Sequence, residues 1–143
     1  MTLAEAYRRT IFRAGPVLAR PGMRSVSADE WLAGLAARQA AFITAWNPMS
    51  RRHPPGWNLR RQAALRGALR RKPALEGMSG TRFWQEHNLL VAADARLLLR
   101  VARQFRQAAI LCLRRGQPAR LLFNPRFAAA VPRHPPPGCS PAR

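Results

Sequence analysis

The run Ala41–Trp46 (AFITAW), closed by Asn47-Pro48, restricts this chain more than any other feature. It is short, apolar, and rich in the β-branched and aromatic residues that suit a pleated, packed surface. The spacing therefore predicts a buried strand that feeds a turn. The following loop, Asn47–Gly56, holds Pro48, Pro54 and Pro55, so it does not continue as one helix.

The other elements arrange themselves around that strand. Leu3, Tyr7 and Ile11 recur every four residues after Thr2-x-x-Glu5, which predicts a helix over Thr2–Arg13 stopped by Gly15-Pro16. Val17–Ala19 reads as a short strand. Ser27-x-x-Glu30 resembles a second capping box, with a helix to about Arg38. A helix over Trp57–Arg71 is bounded by Pro73, with Leu65 and Leu69 inward and Asn58 near its N-terminus. Leu75–Arg82, with two glycines, reads as a loop or irregular strand, and Phe83–Ala92 as a strand.

Asp94–Gln107 has the strongest helical pattern: Leu97, Val101 and Phe105 line one face, and Arg96, Arg100 and Arg103 the other. Ala108–Leu113 and Arg120–Phe123 read as two strands joined by a turn too short for a crossover, hence antiparallel. The expected fold is α/β or α+β, a small single-layer sheet of four to five strands with helices packed on it. Residues 1–127 form the expected domain, and 128–143, Pro-rich with little to bury, a flexible tail.

The chain carries 25 Lys plus Arg against 6 Asp plus Glu, for a formal charge of +19. Lys72 is its single lysine, a bias that GC-rich codons alone produce. The scarcity of acids is more informative, because such a surface attracts polyanions whatever its biological role. No stretch approaches a membrane span, and the charged N-terminus reads as a cytoplasmic protein rather than a signal peptide.

Cys112 sits in an apolar run and reads as a buried small hydrophobe; Cys139 lies in the Pro-rich tail. His53, His87 and His134 are isolated, so no metal site is expected. No Gly-rich phosphate loop and no nucleophile with a placed base occur, so no cofactor is expected either.

Four patterns then come together: ITAWNP at Ile43–Pro48, Asn58 with Leu65 and Leu69, Trp84-Gln-Glu86 leading into Leu89–Val91, and Phe105-Arg-Gln107-Ala-Ala-Ile110. In that order the chain resembles the bacterial family of domain of unknown function 3293. Its members pair a T-A-x-N-P turn with an Asn-bearing helix, a W-x-E segment and an F-G-Q-x-A junction. Arg106 stands where that family has glycine, which bears on the shape of the helix-to-strand junction. The resemblance implies a domain identity and no reaction.

The residues themselves point to one candidate site. Ligands of sheet-based domains gather where strand ends meet loops and helix starts. Asn47, Asn58 and Gln107 are the ligand-binding candidates there, and Glu86 is the candidate catalytic acid or base. Each also has a plain structural reading: turn, helix cap, buried backbone partner, arginine partner. Trp46 and Trp84 read as core. Arg51, Arg52, Arg96, Arg100 and Arg103 are the candidates for polyanion contact. Three functions remain open: a polar pocket, a nucleic-acid accessory domain, and a module that docks an acidic protein.

Overall fold

The computed structural model describes residues 3–82 and 84–125. The chain runs α1 (Leu3–Arg8), β1 (Ile11–Ala14), β2 (Val17–Ala19), α2 (Val26–Gly34), β3 (Gln39–Ile43), a 3-10 turn (Pro48–Ser50) and α3 (Pro55–Ala68). It continues β4 (Ala74–Gly80), β5 (Gln85–Val91), α4 (Ala95–Gln104), β6 (Ala109–Arg114) and β7 (Arg120–Phe123). The expected mixture of helices on a sheet holds, but the sheet has seven strands, ordered β2-β1-β4-β5-β3-β6-β7. Every neighbouring pair is antiparallel. The Pro-rich tail, Cys139 and His134 lie outside the described residues.

Two strands account for the difference in number. Ile11 continues the helical spacing of Leu3 and Tyr7, yet it opens β1, and Gly15-Pro16 forms a two-residue hairpin loop rather than a helix end. Gly15 has φ 52°, which glycine accepts without a Cβ penalty. β4 hides differently. Leu75, Gly77 and Ser79 lie opposite Leu90, Asn88 and Glu86, so these positions of β4 share one face and carry only one large apolar side chain. The alternation that announces a strand is therefore missing. At Gly77 an added Cβ would fall 1.8 Å from the Arg13 carbonyl oxygen, so the close approach of β1 demands glycine.

The sheet curls into a half-barrel. Beyond the two edge strands the chain closes on itself: Gly22 N–H donates to the Ala119 carbonyl (2.7 Å), and Ala119 N–H to that of Met23 (2.8 Å). Its two faces carry separate cores. On the convex face, Ala41, Ile43, Leu89, Val91 and Ile110 pack against Leu65 and Leu69 at the C-terminal end of α3 and Leu98, Val101 and Ala102 of α4. On the concave face, Phe12, Phe42, Leu90, Leu111 and Leu113 pack under Ala28 and Leu32 of α2. Helix α2 is capped by Ser25, whose hydroxyl accepts from Ala28 N–H, while Ser27 Oγ accepts instead from Leu18 N–H. It ends at Gly34 because Ala36 turns left-handed (φ 52°) and Ala37 N–H returns to the Leu32 carbonyl. No helix among the described residues is long and apolar enough to cross a membrane.

Candidate functional site

β3 ends at Ile43 and delivers Thr44–Ser50 to one end of the sheet, as the sequence pattern predicts. The turn there is unusual. Asn47, Met49 and Ser50 all have positive φ (46°, 57° and 56°) without being glycine. Such residues cost roughly 1–3 kcal/mol each and persist only where surrounding bonds over-determine them.

Those bonds come from the other motif residues. Asn58 is the fourth residue of α3, past the cap, and it faces the turn. Its Nδ2 donates to Asn47 Oδ1 (2.8 Å) and to the His53 carbonyl (3.2 Å), while its Oδ1 accepts from Asn47 N–H (3.0 Å). His53 N–H donates to Asn47 Oδ1 (2.9 Å), and Asn47 Nδ2 donates to Glu86 Oε1 (3.2 Å). Trp84 Nε1 donates to the same Glu86 oxygen (2.9 Å). Gln107 Nε2 bonds the carbonyls of Trp46 (3.2 Å) and Phe105 (3.3 Å). Met49 N–H bonds the Arg106 carbonyl (2.9 Å).

Asn47, Asn58 and Glu86 are thus joined directly, and Gln107 through the backbone of Trp46. Arg106 adopts φ 54° at the end of α4, the conformation that glycine takes most easily, and Gln107 N–H returns to the Ala102 carbonyl. The arginine keeps the glycine-like junction.

Glu86 projects to the concave face, beside Asn88 on the same strand. Burial pushes its carboxyl up to about 7, against the downward pull of the Trp84 and Asn47 hydrogen bonds. There it borders a cavity of about 70 Å³. Phe12, Phe42, Leu111 and Leu121 supply apolar wall; Ser50, Ser79 and Asn88 supply polar groups; Tyr7 and Thr10 reach it from the α1 side. Asn88 is 3% exposed, and neither its Nδ2 nor its Oδ1 has a hydrogen-bond partner among the described residues. A buried amide left so costs about 1–3 kcal/mol per group.

Asn88 and Ser79 are the site residues that sequence reasoning missed. The signal was present as a polar residue in HNLLV, two positions beyond Glu86 and so on its face.

The remaining candidates lie elsewhere. Asn47 and Asn58 border a separate cleft of about 370 Å³ with Trp46, Arg52, His53 and Trp84. Gln107 borders neither space. Arg51 and Arg52 are exposed in the loop after the turn, and Arg96, Arg100 and Arg103 are exposed along α4. Cys112 is buried as expected, and burial pushes its thiol up to about 11, so it is a poor nucleophile.

Residues 43–110 match the family described as "Protein of unknown function (DUF3293)". Over that span the chain is similar to DUF3293. No curated protein and no solved structure matches it. The DUF3293 span runs from the last residue of β3 into β6 and contains Asn47, Asn58, Glu86, Asn88 and Gln107. α1, β1, α2 and β7 lie outside it, although α1, β1 and β7 line the cavity. Residues of the four sequence patterns are therefore joined in one knot, which holds Glu86 at the rim of that cavity.

Proposed function

We propose that this bacterial, cytoplasmic protein binds a small polar molecule in the concave-face cavity, with Asn88 recognising it and Glu86 exchanging a proton with it. The observation that carries the reading is the buried carboxamide of Asn88, without a partner among the described residues, at a cavity beside a carboxyl that burial pushes up to about 7.

A carboxamide offers one acceptor and two donors in one plane. It suits a ligand that presents a donor and an acceptor side by side, such as an amide or a carboxylic acid. The volume of about 70 Å³ restricts that ligand to a few heavy atoms or to the tip of a longer molecule. A carboxyl near neutrality is poised both to take and to give a proton, which is what general acid or base work requires. Asn47 and Asn58 serve the site by positioning: they bond each other and the loop, and they hold Glu86 through Nδ2 of Asn47.

The test is a fragment titration followed by amide NMR, using small primary amides and carboxylic acids. Binders are expected to shift the Asn88 side-chain signals and to be lost in Asn88→Leu. If no fragment of either class moves Asn88 at millimolar concentration, the reading fails.

A further inference from the structure

The cleft on the other side of Trp84 is of a different kind. Of the 4 tryptophans, three (Trp46, Trp57 and Trp84) gather at this end of the sheet. The sequence pattern assigns Trp46 and Trp84 to the core, yet neither belongs to the buried residues, and both border the cleft. Their neighbours are cationic or aromatic. Trp46 stacks on His87 with ring centres 4.6 Å apart, and His53 stacks on Trp57 at 4.2 Å. The Arg52 guanidinium lies 5.2 Å from the centre of the Trp84 ring, and that of Arg61 5.9 Å from Trp57. Glu86, the acid nearest this group, turns its carboxyl toward Trp84 Nε1 and the opposite cavity.

We infer that this cleft binds single-stranded nucleic acid, with unpaired bases against Trp46 and Trp84 and phosphates against Arg51 and Arg52. Three features carry this together. Partly exposed indoles offer π-faces to bases of any sequence. Arginine serves both the phosphate and the ring faces. The cleft, of about 370 Å³, is open to solvent and large enough to admit a base.

Net charge alone does not lead here, because a chain of +19 attracts every polyanion. The inference concerns the bases. It is also independent of the concave-face cavity, which is lined by other side chains apart from Trp84.

The experiment compares the full chain's affinity for a short single-stranded oligonucleotide and for an abasic strand of the same length and charge, at 300 mM salt, where screening is strong. The intact strand is expected to bind about tenfold more tightly, the size of one or two stacking contacts. On the unmodified chain, the indole N–H signals of Trp46 and Trp84 are expected to move. That of Trp31, on α2, is expected to stay put. Trp46→Leu is expected to reduce the preference for the intact strand severalfold, because one of the two stacking platforms is lost. Equal affinity for the two strands overturns the inference, as does movement of Trp31 without Trp46 and Trp84. A preference undiminished in Trp46→Leu also overturns it. Should Trp46→Leu not fold, the indole signals of the unmodified chain decide.

Discussion

Asn47 and Asn88 are both buried amides, and both belong to the surroundings of Glu86, but they are treated in opposite ways. Asn47 spends its carboxamide on three partners: Asn58, the His53 backbone and Glu86 itself. Asn88 has none among the described residues, although it is just as buried. An amide bonded in this way stabilises the fold and has little left to offer a ligand. An unsaturated one costs stability, and a protein retains it when something else supplies the missing bonds. The motif residues Asn47 and Asn58 thus bond within the fold, while Asn88 beside them, which no motif flags, is the residue that the proposed function draws on.

That comparison breaks or sharpens under substitution. The largest effect is expected from Asn47→Ala, which takes the side-chain partner from Asn58 Nδ2, His53 N–H and Glu86 at once and puts alanine at φ 46°. Urea unfolding is expected to show a loss of about 3 kcal/mol; a loss well below 1 kcal/mol would mean that the knot is not the scaffold.

Glu86→Gln comes next, with a pH signature. Folded Glu86 holds its proton up to about pH 7, whereas the unfolded chain releases it near 4.5. Its stabilising contribution is whole below the lower value and is lost as pH rises through the upper one. Glutamine keeps an acceptor for Trp84 and Asn47 without the charge. The variant is therefore expected to match the parent chain at pH 4 and to exceed it by up to about 3 kcal/mol at pH 8. Parallel stability curves would remove Glu86 from the acid–base role. The smallest effect belongs to Arg106→Gly, expected to gain about 0.5–1 kcal/mol by relieving the left-handed conformation, read as a rise in melting temperature.

Much of the fold is legible in the amino-acid sequence, because it rests on long apolar runs and helical periods. β3, β5, β6, β7 and α4 all carry such patterns. β1 and β4 do not. β1 is four residues long and begins on a residue in phase with the preceding helix; β4 turns Gly77 and Ser79 inward, where the cavity and a close backbone leave no room for large side chains. Without those two strands the apolar pattern implies no half-barrel, and hence no concave face. The candidate site divides along the same line. ITAWNP, Asn58, Glu86 and Gln107 converge as their positions at strand ends imply, since turn chemistry is local. Asn88 and Ser79 meet Glu86 through the β4–β5 register, which local spacing does not encode. Trp46 and Trp84 go the other way: apolar and assigned to the core, they lie beyond the end of β3 and before the start of β5, only partly buried and bordering the cleft.

The sign of one stability change tests the central claim most directly. Asn88→Leu replaces an unpartnered carboxamide by an apolar side chain of similar size next to Phe12, Phe42 and Leu111. If Asn88 is kept for a ligand, the unliganded variant is expected to be more stable than the parent by about 1–2 kcal/mol in urea unfolding, and to lose fragment binding. A variant less stable than its parent by about 1 kcal/mol or more would contradict the account, because Asn88 would then be one more strut of the scaffold.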